Sequence, residues 1–218
     1  MPCAVVGFLI WSDAAQFERV LSAYERFCLH GDTPDDISAY AFVEKNRLLL
    51  MCVHPSDSID VALERFELLV APLRALDADI VSVDIKPLCE LNSQFDEGNP
   101  AGRSYHWHSN VVDRLPVAQI VQHIAQSPPG ACSIEVMHWG GAIRRGADSS
   151  FPHRNAAFEA HSLVWWKPTE DGLALKSWAR RFNVSDRSFV NISGDTSDTP
   201  LSHNAARVAQ IYENYAKQ

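Results

Sequence analysis

The stretch SYHWHSNVV, residues 104–112, carries two imidazoles, His106 and His108, two positions apart. Side chains of an extended strand alternate between faces, so these two share a side with Asn110, while Tyr105, Trp107 and Ser109 take the other. Further ionisable or polar groups stand in strand-like runs: Glu135 in CSIEVMHW (132–139), His161 in FEAHSLVWW (158–166) and Asn191 in SFVNI (188–192). In CSIEVMHW the apolar Cys132, Ile134 and Val136 suit a face covered by helices, which turns Glu135, Met137 and Trp139 the other way. In FEAHSLVWW the phase is ambiguous, but Glu159, His161 and Leu163 fall together. In SFVNI, Val190 and Ile192 facing inward leave Phe189 and Asn191 outward. The expected open face therefore gathers His106, His108, Glu135, His161 and Asn191 beside Met137, Trp139 and Phe189. On it His106, His108 and Glu135 are the expected acid/base groups, and Met137, Trp139, His161, Phe189 and Asn191 the expected ligand contacts. Ionisable groups inside an aromatic rim suit proton transfer, because burial and neighbours move their pKa values toward neutrality.

Other chemistries find less support. His-x-His is also a metal-ligand spacing, but no third ligand follows by spacing, so no metal is assigned. Nine histidines in 218 residues also form clusters by chance. No GxSxG elbow accompanies a serine, and no GxGxxG or GxxxxGK[ST] loop is there to cradle phosphates. A net charge of −8 speaks against nucleic acid, which requires clustered Lys and Arg. No apolar run reaches the ~18 residues of a membrane span, and the N-terminus reads as no signal peptide. Five cysteines without a CxxC spacing read as reduced thiols of a cytoplasmic protein.

The elements that must position these groups follow from periodicity. VVGFLIW (5–11) reads as a strand, and the next helix repeats Phe17, Val20, Leu21, Tyr24 and Phe27/Cys28 at helical spacing. ISAYAFVE (37–44) and RLLLMCVH (47–54) form a hairpin around Lys45-Asn46. A second helix presents Val61, Phe66, Leu69, Val70 and Leu73, with Pro72 late in it, and IVSVDIKPL (80–88) alternates as a strand. After a polar connector (89–103), strand 104–112, helix 116–127, strands 131–139 and 158–166, helix 169–182 and strand 188–192 repeat the order β-α-β-β-α-β. The fold class is α+β: two ferredoxin-like βαββαβ units, antiparallel sheet with helices on one face. The chain, 1–218, reads as a single domain of two pseudo-repeats, about 3–88 and 104–192, with a C-terminal helix over 203–217.

GGAIRRGADSSFPHR, residues 140–154, resembles the GG-to-FPHR segment of berberine-bridge-enzyme-like, FAD-linked oxidoreductases. VVGFLIWSDAAQFERVLSAYERF, APLRAL, RSYHWHS and SFVNISGD fall in that family's order, the last near its Tyr-x-Asn-Tyr strand. The resemblance spans nearly the whole chain but only the substrate domain, without the flavin domain or its FAD-anchoring His and Cys. Ile192 replaces the second Tyr, His108 stands where members often carry lysine, and YENYAKQ stops short of the family's Asp-Pro-x-Asn-x-Phe ending. The resemblance implies a sheet that faces the substrate. It also implies a structural FPHR segment, with Phe151 packed, Pro152 setting the approach to the strand and Arg154 bonding loop carbonyls or a carboxylate; the alternative is that His153 or Arg154 touches a ligand.

The expected function is a stand-alone, flavin-free enzyme that binds a mostly apolar small molecule. It would catalyse a non-redox cyclisation, pericyclic or otherwise, or an isomerisation in natural-product biosynthesis, with no cofactor. The alternative is a non-catalytic binding protein or subunit that completes a separate flavoprotein partner carrying the FAD-binding domain.

Overall fold

The computed structural model describes residues 3–189, except 92, 94, 97, 146–150 and 152, together with residue 192. Strand β1 (Cys3–Trp11) leads through a short 3-10 turn, capped by Asp13 accepting from the Ala15 N–H, into helix α1 (Phe17–Leu29). The hairpin β2 (Ser38–Glu44) and β3 (Arg47–Ser56) follows, then α2 (Ile59–Arg74) and β4 (Ile80–Pro87). A short helix α3 (Leu88–Leu91) opens the connector. The second series is β5 (Ser104–Val112), α4 (Val117–Ala125), β6 (Ala131–His138), β7 (Phe158–Trp166) and α5 (Leu173–Arg181).

All seven strands form one antiparallel sheet in the order β4-β1-β3-β2-β6-β7-β5. The first four follow the ferredoxin-like order. The two series meet at a seam between β2 and β6, four residue pairs from Tyr40↔Met137 to Val43↔Ile134.

Among the described residues of the expected closing strand 188–192 no strand is formed. Ser188 and Phe189 carry no strand ladder, Val190 and Asn191 lie outside the described residues, and Ile192 falls in a 3-10 turn. A strap over 182–189 runs beside β5 instead. It is held by Val111 N–H to the Arg187 carbonyl (2.8 Å) and by Asn110, whose amide donates to the Phe182 carbonyl and accepts from the Val184 N–H. Side-chain bonds from Asn110 and from Ser185, whose hydroxyl donates to the Val111 carbonyl, do the work of a ladder. The helix expected over 203–217 also lies outside the described residues.

The main core fills the space between one sheet face and helices α1, α2, α4 and α5. In α1, Phe17, Val20, Leu21, Tyr24, Phe27 and Cys28 are all buried, and the Tyr24 hydroxyl donates to the Ala39 carbonyl. In α2 the buried stripe is Ala62, Phe66, Val70 and Leu73, whereas Val61, expected inward, is 62% exposed. Spacings of four, four and three fix that stripe on Ala62, a small residue that allows close approach to the sheet. Burying a ring such as Phe66 stabilises by about 2–3 kcal/mol. Gly7 on β1 makes this possible, since a Cβ there would stand 2.5 Å from Phe66 Cζ.

The FPHR segment behaves structurally. Phe151 packs edge-on to Trp139 at 4.9 Å between ring centroids, and Arg154 donates to the carbonyls of Ile143 and Arg145. Pro152 lies outside the described residues. Gly141 takes φ +53°, and a Cβ there would collide with the Asp35 carbonyl, so the Gly-Gly turn presses the loop against the first series.

Candidate active site on the helix-free sheet face

Antiparallel partners stand on the same face, so the register decides which side chains meet. Ser109 pairs with His161 across β5 and β7, and His161 pairs with Glu135 across β7 and β6. These three, with Glu159 two residues from His161, lie on the face without helices. His106 pairs with Val164 and His108 with Ser162. Val164 belongs to the core under the helices, and the Ser162 hydroxyl donates to the Ala179 carbonyl of α5. The expected common face for all the histidines is thus corrected: His106 and His108 lie on the helix side, opposite His161 and Glu135. Tyr105 and Trp107 take the open side, their rings stacked 5.5 Å apart. Asn191 lies outside the described residues.

What the open face assembles is a chain of hydrogen bonds. The Phe189 N–H donates to Ser109 Oγ at 3.0 Å, and Ser109 Oγ donates to Glu159 Oε1 at 2.6 Å. Glu159 Oε2 lies 2.7 Å from His161 Nδ1, and His161 Nε2 lies 3.3 Å from Glu135 Oε2. Ser133 donates to the other Glu135 oxygen at 3.3 Å. Glu159 and His161 are sealed, with side chains 0% and 4% exposed, while Glu135 keeps 23%. Burial alone lowers the His161 pKa, but the Glu159 carboxylate and the hydrogen bonds His161 donates to Glu135 and Glu159 outweigh it and push it up to about 10. His161 is therefore an imidazolium at neutral pH, donating from both nitrogens. It holds Glu135 in place, and Glu135 is the group that reaches the surface.

That surface is a cavity of about 1090 Å³ straddling the seam. Tyr40, Phe42 and Leu49 wall it from the first series, and Met137, Leu163 and Trp165 from the second, with Glu135 among them. Phe42 pairs directly with Glu135, and Phe95 of the connector lies over Phe42 at 5.4 Å. Of the expected acid/base groups Glu135 lines the cavity; of the expected ligand contacts Met137 lines it, and His161 stands behind Glu135. Trp139 and Phe189 pack against each other and Phe151 in a neighbouring aromatic cluster. Periodicity alone did not bring in Glu159 or Ser109 as members of the chain. The available signal was a carboxylate and an imidazole two apart inside an otherwise apolar run, AAFEAHSLVWW. The contributions of Tyr40 and Phe42 depend on the seam, which no local pattern announces.

Among the described residues no group of three or more His, Cys, Asp or Glu is placed to hold a metal ion. None of their helices is long and apolar enough to cross a membrane. The cysteines are free, with Cys3, Cys28 and Cys52 buried and Cys89 exposed.

No protein-family model and no curated protein sequence matches the chain. Solved structures do match its fold. A BBE-like 1 protein of Physcomitrella patens superposes with a TM-score of 0.73 at 16% identity, over 99% of this chain and 51% of that one. BBE-like #28 from Arabidopsis thaliana gives 0.64 at 16% identity, over 82% and 41%. CrmK, a flavoenzyme of caerulomycin biosynthesis, gives 0.63 at 20% identity, over 82% and 41%. The chain thus spans about half the length of these proteins or less, and the likeness is one of fold.

Proposed function

We propose that this chain, built on the fold that BBE-like oxidoreductases share, binds a mostly apolar small molecule on its helix-free sheet face and moves a proton with Glu135. The reaction class is a non-redox step, cyclisation or isomerisation. The observation that supports it is a carboxylate at the edge of an apolar cavity, held from behind by a buried His161–Glu159 pair. A carboxylate so placed is within reach of an acidic C–H or O–H of a bound molecule. The fixed imidazolium stabilises its negative charge without itself leaving or entering the reaction. The aromatic walls exclude water and hold a reactive conformer.

The test is proton exchange. The purified chain is incubated in deuterated water with a panel of apolar aromatic ketones, and mass spectra are compared for the native chain and Glu135→Gln. Loss of exchange by roughly 10²-fold or more in the variant supports the reading. Equal exchange in both overturns it.

A second reading is favoured by the solved structures, one of them described as a flavoenzyme, that are about twice this chain's length. Here the same face completes a flavin-bearing module. A flavin ring would lie against the apolar wall of Tyr40, Phe42 and Leu49, and when bound it would supply hydride chemistry. Glu135 would then hold the substrate's proton. The described residues carry no glycine-rich turn for a diphosphate, so another module would hold that part. Stoichiometric absorbance near ~450 nm in the purified chain, or co-elution of the chain with an added flavoprotein, favours this reading over the first.

A further inference from the structure

We infer that the cavity takes an elongated aromatic acid, with its anionic group at the Lys45 end and its reacting end at Glu135. The inference rests on the proposed reading of this face as a ligand site. The cavity has two polar ends on an apolar floor. Glu135 marks one. The other is the turn of the β2–β3 hairpin, where Glu44, Lys45 and Arg47 line the same space. Arg47 is held by Glu44 at 2.5 Å, whereas Lys45 makes no ion pair among the described residues.

The separation between the ends is read along β6, because β2 ends at Glu44 and Lys45 sits in the turn beyond it. Lys45 lies three residues beyond Phe42, the partner of Glu135, and Cys132 lies three residues before Glu135. At ~3.3 Å per residue the ends are about 10 Å apart, the length of two linked aromatic rings. Phe42, Leu49 and Leu163 line the floor and offer a ring face and aliphatic groups, not hydrogen bonds. The chain carries a net charge of −8, so an anion is drawn here by a local cation and not by the overall field.

The probes are para-hydroxybiphenyl carboxylate, with phenol and carboxylate at opposite ends, and neutral hydroxybiphenyl, titrated calorimetrically. The acid should bind the native chain about 5-fold or more tightly than the neutral probe at low salt, and the advantage should shrink as salt screens it. Lys45→Gln should remove the advantage and leave the neutral probe's affinity unchanged, while Lys45→Arg should keep it. If both probes bind equally to the native chain, or if Lys45→Gln keeps the preference, the inference falls and the cavity reading stands. If neither probe binds, both fall.

Discussion

Glu159 Oε2 and His161 Nδ1 stand 2.7 Å apart with neither side chain open to solvent. A buried carboxylate and a buried imidazole tolerate this only as a pair, because each alone would carry an uncompensated charge or lose it. The pair therefore ties stability to pH. In the unfolded chain His161 titrates near 6.5, and in the folded chain its pKa is raised to about 10. Its contribution is fully present below about pH 6.5 and is lost as pH rises through about 10. Urea unfolding followed between those limits should show stability falling with pH. His161→Gln should flatten that slope, and an unchanged slope in the variant would refute the assignment.

Glu159→Gln removes the charge and leaves the imidazolium facing an amide. The expected loss is about 3 kcal/mol, the usual consequence of breaking one side of a buried pair. The double variant Glu159→Gln/His161→Gln should lose less than the two single losses added, since the second change removes a group the first left stranded. Strict additivity in chemical denaturation would show that the two residues do not act together.

Gly7 and Phe66 form a second dependent couple. A methyl group at Gly7 must displace the Phe66 ring, so Gly7→Ala should lower stability by about 1–3 kcal/mol through overpacking. Phe66→Leu in the same chain should restore part of it. Thermal unfolding of the two single variants and the double one decides the matter, and a double variant no better than the sum contradicts the contact.

His106 is 4% exposed on the helix side. His106→Ala should therefore lower stability by about 1–3 kcal/mol, as loss of a buried, packed polar side chain does. Affinity of the cavity for hydroxybiphenyl should not change. A variant of native stability with weakened binding would return His106 to the site.

Strand and helix order was legible because each element carries its period plainly: the α1 stripe of Phe17, Val20, Leu21, Tyr24 and Phe27 has one solution. The sign of a strand face was not. Alternation in SYHWHSNVV separates Tyr105 and Trp107 from His106 and His108, but it does not say which set meets helices. The usual preference for apolar residues inside misleads here, because the open face is itself half covered and accepts aromatic rings. At the strand's end Val111 and Val112 are both buried, one in each core, so hydropathy gives no direction. The informative residue is Asn110, polar yet wholly buried, whose amide holds the Phe182 carbonyl and the Val184 N–H beyond α5. For Glu135 the flanking Ile134 and Val136 made the assignment unambiguous. The cavity itself was out of reach, since half its wall arrives through β2, some ninety residues away from β6.

That last fact bears on the order in which the molecule assembles. The four-pair β2–β6 seam joins segments separated by the longest stretch of chain among the strand pairs of the described residues, so its closure is expected to come late. The cavity exists only once the seam is shut. A ligand seated across it therefore grips a join that is absent from the early folding steps. It should lengthen the lifetime of the folded chain by slowing unfolding, while leaving the rate of folding nearly unchanged.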